Sequence, residues 1–306
     1  GKYGANLMEE VYRYALVAGT VAKNHDFDVI HAHDWLTYSA GIIAKKISGK
    51  PLIVHVHATE YDRGGEFNRN TLVYDIEKRG MEAADRVVTV SNWTRNIVIE
   101  KYGIPAEKVI TVHNAVDFKT DTKDREERSI KDKIVTFLGR ITLQKGPEYF
   151  VEAAAKVMKR LPNVRFVMAG SGEKMNPLVR RVAQLGLGTR FHFTGFLRGN
   201  DVQRMFRYSD VYVMPSVSEP FGISPLEAMR SGVPTIISKQ SGVAEVLHHA
   251  IKVDYWDINA LADAIYGVLA YPTLSNFMQR EGYEEVNQLK WETASLKLKK
   301  IYESLM

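Results

Sequence analysis

The feature that most constrains this chain is a rhythm. Short β-branched and apolar runs alternate with longer segments whose apolar residues recur at helical spacing, the pattern of parallel strands joined by crossover helices. The first helical segment, 7–24, carries Leu7, Val11, Tyr14, Ala15, Ala18, Val21 and Ala22 at that spacing. Strands are predicted at 28–33, 52–57, 86–90 and 108–112. Helices are predicted at about 37–47, at 70–83 and from a capping Ser91 to near Gly103. The first two strands read as buried on both faces, and 58–69, with Gly64-Gly65 and several charges, reads as a loop.

The rhythm breaks once, at 119–133, which is almost wholly charged or polar and reads as an exposed linker. It then resumes. Strands are predicted at 134–138, 164–169, 190–194, 211–215 and 235–237. Helices are predicted from Pro147 to about 161 and near 174–185, 200–208, 225–230, 258–270, 274–288 and 291–305. The expectation is an α/β chain with two Rossmann-like, doubly wound parallel-sheet domains, 1–117 and 118–290, followed by a terminal segment 291–306.

Composition removes several classes of function. With no cysteine in 306 residues, disulfides, thiolate metal sites and a cysteine nucleophile are excluded, which fits a reducing, cytoplasmic setting. No apolar run is long enough to span a bilayer, and no signal-peptide pattern is seen. The formal charge of +5 suits phosphates or a peripheral contact with an anionic membrane. The basic residues are dispersed among acids rather than clustered with aromatics, which argues against nucleic acid.

Residues at strand C-terminal ends are the candidates for chemistry, because ligands of open α/β sheets bind there. The loop Gly139-Arg140-Ile141-Thr142-Leu143-Gln144-Lys145-Gly146 joins a strand to a helix opened by Pro147. Helix-end amides with Arg140 and Lys145 make an anion site, most naturally for a diphosphate, and a solvated loop is the equal alternative. Gly170-Ser171-Gly172 repeats the arrangement as a weaker signal.

The stretch Glu219-Pro220-Phe221-Gly222-Ile223-Ser224-Pro225-Leu226-Glu227 feeds a short helix. Ser224 is predicted as its N-cap, Pro225 as its first residue, and Gly232 as its left-handed terminus. Glu227 reads either as the far half of a capping box or as a partner for a ribose diol. Glu219 reads as an exposed loop acid or as a group that steadies a sugar.

The histidine pairs His31/His33 and His55/His57 each face one way along their strands. They permit a hydrolytic metal site. Neutral, hydrogen-bonded core histidines are the preferred reading for His31 and His55, whereas His57 and Asp34 lie at strand ends.

Taken together, these residues resemble a known family. Glu219-Pro-Phe-Gly-Ile-Ser-Pro-Leu-Glu227 is similar to the paired-glutamate signature of GT-B retaining glycosyltransferases of the glycosyltransferase 4 and glycogen (starch) synthase group. The likeness extends to His31-Ala-His33-Asp34-Trp35, Val90-Ser91, His113-Asn114-Ala115-Val116-Asp117, Gly139-Arg140 with Lys145-Gly146, Gly170-Ser-Gly172, Gly195-Phe196-Leu197 and Ser241-Gly242-Val243-Ala244-Glu245, in family order.

The resemblance implies a metal-independent, retaining transfer of a hexose, with glucose the expected sugar, from a UDP-, ADP- or GDP-hexose to an acceptor hydroxyl such as that of a glucan; a lipid-linked acceptor would suit the basic charge. It implies diphosphate contacts from Arg140 and Lys145, ribose contact from Glu227, and base contact near Leu197. It places Gly170 in the same donor site by implication. It further implies backbone amides of Phe221, Gly222 and Ile223 at phosphate and sugar, Glu219 and His57 beside the sugar, and a terminal helix from Trp291 that returns to the first domain. The family's opening strand and glycine-rich loop have no match before residue 28, so an incomplete first sheet and self-association through it are expected. Three alternatives stay open: a nucleotide-sugar-binding fragment without transfer, a sugar-nucleotide epimerase and a histidine-metal hydrolase.

Overall fold

The computed structural model describes residues 6–116 and 130–306, which form two compact units. One is Gly1–Ala115 with Trp291–Met306, the other Val116–Lys290. Most of the linker expected at 119–133, and the boundary at 117/118, lie outside the described residues.

The first unit runs α1 (Leu7–Asn24), β1 (Ile30–His33), α2 (Trp35–Ser48), β2 (Leu52–Val56), α3 (Glu60–Gly64), α4 (Thr71–Ala83), β3 (Arg86–Thr89), α5 (Asn92–Tyr102) and β4 (Val109–Thr111), with the terminal helix Trp291–Glu303. Its sheet order is β1-β2-β3-β4, all parallel. Every crossover therefore steps the same way, and right-handed crossovers place their helices on a single face. On that face Ala32, Leu52, Val54 and Val87 pack with Trp35, Tyr38, Val73 and Val98. The other face is left to the terminal helix, whose Ala294 and Ile301 pack on Ile53, Val88 and Val112. Strand alternation turns His31, His33 and His55 toward this second face.

Local signals fix the helix ends. Asn70 accepts from the Leu72 and Val73 amides at the start of α4. Ser91 accepts from the Thr94 amide, and Gly103, at φ +70°, closes α5.

Two expectations need correction. The loop predicted at 58–69 contains α3, which is held by a reciprocal Thr59/Asp62 capping box. It is also held by the buried carboxylates Glu60 and Glu77, which share Arg63. Five residues carry no helical periodicity, so only these tertiary partners make the turn stable. The strand β1 is not buried on both faces: it is a sheet edge, with His31 half-buried and His33 exposed.

The second unit runs β5 (Lys133–Leu138), α6 (Pro147–Arg160), β6 (Val164–Ala169), α7 (Met175–Gln184), β7 (Phe191–Gly195), α8 (Asn200–Tyr208), β8 (Val211–Met214), α9 (Ser224–Arg230), β9 (Thr235–Ser238), β10 (Ile251–Val253), α10 (Ile258–Ala270) and α11 (Pro272–Val286). The strand β10 was not expected, since Ile251-Lys252-Val253 is too short to show alternation; pairing with β9 makes it a strand. The order β10-β9-β8-β5-β6-β7 is parallel throughout. The chain winds outward from β5 to β7, then returns to β8 on the other side of β5. That reversal opens a crevice beyond the C-terminal ends of β5 and β8. Phe137, Phe150, Phe166 and Phe191 fill the core beneath it.

Candidate functional site

The crevice is built from two loops that bond to each other. After β5, the turn Leu143–Lys145 ends at Gly146, whose φ is +61° and whose added Cβ would lie 2.1 Å from the Pro215 carbonyl oxygen. Only glycine lets the start of α6 approach the loop after β8 so closely. The Val217 amide donates to the Gln144 carbonyl, at 2.9 Å. Lys145 Nζ donates to Glu219 Oε2, which Ser216 Oγ also reaches, at 3.3 Å. Glu219 is only 6% exposed, so it is not the exposed acid that was one of its two readings. Its backbone is fixed too: the amide donates to the Gln240 carbonyl and the carbonyl accepts from Gly242.

Arg140 is placed differently. Its Nη2 donates to Gln144 Oε1 at 3.0 Å, and among the described residues it makes no ion pair. One cation of the loop is thus held by a carboxylate, and the other presents its remaining donors to solvent.

The third loop closes the wall beside β5. A Cβ on Gly170 (φ +144°) would stand 1.8 Å from the Gly139 carbonyl oxygen, and one on Gly172 would stand 2.3 Å from that of Ile141. The Ile141 amide donates to the Ser171 carbonyl at 2.9 Å. These two glycines therefore serve close backbone contact. Gly170 still borders a cavity of about 340 Å³ with Leu138, Gly139, Arg140, Phe196, Leu197, Gln203 and Glu227.

Glu227 faces that cavity. The capping reading fails, because α9 already includes Ser224, its N-cap is Ile223, and no side-chain cap bond forms. Tyr212 Oη donates instead to Ser224 Oγ, at 2.8 Å. A buried tyrosine hydroxyl at the end of β8 thus takes the oxygen that the cap would have used. Gly232, at φ +69°, does adopt the left-handed conformation expected of it. The Glu227 carboxylate has no hydrogen-bond partner among the described residues, and burial raises its pKa above the usual carboxylate range. An acceptor with two free oxygens on the wall of a cavity suits a diol.

Phe221 is buried, Gly222 has φ +100°, and Ile223 is exposed; none of the three borders the cavity. Phe196, 64% exposed and named from the sequence only as part of the run Gly195-Phe196-Leu197, and Gln203 of α8, which was not singled out, also border it. An aromatic in the strand-end run Gly195-Phe196-Leu197 was the available signal.

In the first unit, Asp34 follows β1 with φ +57°, the only non-glycine residue with positive φ among the described residues. Its Oδ1 accepts from the amides of His57, at 2.8 Å, and Ala58, so the carboxylate fixes the chain where it leaves β2. The His57 ring contacts His33, Nε2 to Nδ1, at 2.9 Å.

Comparison with known proteins gives the family. Residues 118–285 match the family described as "Glycosyl transferases group 1". The chain belongs to that family. Residues 7–120 match "Glycosyltransferase Family 4". An uncharacterized glycosyltransferase of Methanocaldococcus jannaschii is 34% identical over 239 residues, which are 74% of this chain and 61% of that one. A glycogen synthase of Mycobacterium tuberculosis is 24% identical over 90% of this chain and 68% of its own length. The chain thus spans less than two thirds of the archaeal relative.

Two solved structures share the fold. Sucrose-phosphate synthase from Thermosynechococcus elongatus superposes with a TM-score of 0.83 at 22% identity, over 100% of this chain and 80% of that one. An Anabaena protein solved with UDP and glucose gives 0.81 at 21% identity, over 95% and 81%. With its two parallel sheets of four and six strands, this group 1 glycosyltransferase has the GT-B fold. No helix among the described residues is long and apolar enough to cross a membrane.

Proposed function

We propose that this group 1 glycosyltransferase moves a hexose, with glucose the expected sugar, from a nucleoside diphosphate sugar to an acceptor hydroxyl with retention and without a metal ion. The observation that carries the reading is the unpartnered Glu227 carboxylate on the wall of the 340 Å³ cavity, opposite the Gly139-Arg140 turn at the strand-order reversal. The ribose diol binds Glu227, the base lies against Phe196 and Leu197, and the diphosphate reaches Arg140 and then Lys145. There the two cations offset the charge that develops on the departing diphosphate.

Glu219 holds Lys145 in place before the donor arrives and lies beside the sugar afterward. The acceptor is a carbohydrate or a lipid-linked sugar. A donor with UDP is supported by the Anabaena neighbour solved with UDP and glucose, and a glucan acceptor by the glycogen synthase relative.

The test is incubation with UDP-, ADP- and GDP-glucose, with and without glucan acceptors and EDTA. The expected result is acceptor-dependent release of one nucleoside diphosphate, insensitive to EDTA. Donor conversion without acceptor would point to an epimerase, and binding without turnover to a donor-binding module. Arg140→Ala is expected to lower turnover by about 100-fold with an unchanged melting temperature, since its side chain is exposed. Unaltered turnover would sink the assignment of the loop.

A further inference from the structure

The face of the first sheet opposite its crossover helices carries a second set of unusual side chains. His31, His33 and His55 each offer a ring nitrogen, and these nitrogens lie within 4.8 Å of one another. Their rings stack, His31 on His33 at 4.3 Å between centroids and His31 on His55 at 5.3 Å.

The core-histidine reading expects neutral, hydrogen-bonded imidazoles, and the structure meets only half of it. His55 is 5% exposed, yet neither of its ring nitrogens has a hydrogen-bond partner among the described residues. His31 Nδ1 lies 2.6 Å from Tyr302 Oη of the terminal helix, and its Nε2 is buried without a partner among the described residues. A buried polar atom left unmatched costs about 1–3 kcal/mol, and here three such atoms lie on two adjacent residues.

We propose that His31, His33 and His55 bind one divalent transition-metal ion, zinc foremost, through one ring nitrogen each. Imidazole suits zinc, nickel and copper, whereas magnesium and calcium require oxygen. Zinc–nitrogen bonds of about 2.1 Å place tetrahedral ligand nitrogens roughly 3.4 Å apart, so closing the site takes ring rotations on the order of 1 Å. Tyr302 would orient His31 from behind through the Nδ1 contact, as outer partners do for ligating histidines. His55 also borders a cavity of about 280 Å³ with His113, Asn114 and Glu292, which gives room for a water on the fourth position. The site lies wholly within the first unit and does not depend on the donor reading.

The test uses the full chain, stripped with chelator and dialysed against Zn²⁺, with metal content measured and cobalt substituted as a spectroscopic probe. The expected result is about one ion per chain and the intense visible absorption of four-coordinate cobalt. His55→Leu and His31→Gln should each weaken binding at least about tenfold, and Tyr302→Phe, which leaves all three ligands in place, by about tenfold. The exposed His25→Gln and His248→Gln should leave binding unchanged. Failure to bind zinc stoichiometrically would overturn the proposal. So would binding that survives in the His31, His55 and Tyr302 variants.

Discussion

The two units apply one grammar, strand then helix, with opposite results at their strand ends. In the second unit the chain reverses direction between β7 and β8. The loops after β5 and β8 are thereby brought side by side and pair Lys145 with Glu219. In the first unit every described strand steps the same way, no reversal occurs, and one face of the sheet is left to a single helix. On that face both ring nitrogens of His55 and one of His31 stand without partners among the described residues, while in the crevice Lys145 is paired with Glu219 and Glu227, without a hydrogen-bond partner among the described residues, borders the cavity. Unmatched polarity thus marks both places, with a carboxylate in one and imidazoles in the other.

The largest effect expected from breaking this contrast is at Lys145. Lys145→Ala removes a cation proposed to meet the diphosphate and strands a buried Glu219, so transfer should fall by about 100-fold or more and stability by about 3 kcal/mol. The double variant Lys145→Ala/Glu219→Ala should recover the stability and not the rate; steady-state kinetics and urea unfolding read the two separately. Recovery of both would mean that the pair is only structural.

Glu227→Gln should weaken nucleotide binding by about 10-fold, the loss of one charge-assisted hydrogen bond, measured by calorimetry. In the free protein the same change should be neutral or stabilising at pH 7, because burial already disfavours the ionised form.

In chelator-treated protein, His55→Leu replaces a ring with two unmatched nitrogens by an apolar side chain. A gain of about 1–2 kcal/mol is expected, and a loss would show that water or another group satisfies His55. A further effect concerns pH. Burial pushes Glu77 up to about 7, against the pull of Arg63 and Tyr102. Between pH 4.5 and 7 the folded protein therefore holds a proton that the unfolded chain has released, and stability falls as pH rises through that window. Glu77→Gln should flatten this slope in unfolding measured from pH 4.5 to 7.5.

Sequence alone determined the alternation, the number of long helices, the loop cations and the paired glutamates, because these depend on local spacing and on residue types that few other settings require. Ser91, Asn70 and Pro147 act where they stand, through their own backbone neighbours. What it could not determine depended on partners distant in the chain. Serine at 224 looked like a cap until Tyr212, on the preceding strand, took its hydroxyl. Glu60, Arg63 and Glu77 make a helix of residues that read as a loop. The direction of each crossover, invisible in a periodic pattern, decided where a crevice opened and which face received His31, His33 and His55. Hydrophobic period sets an element and its buried side; only the packed sheet sets what the polar side chains meet.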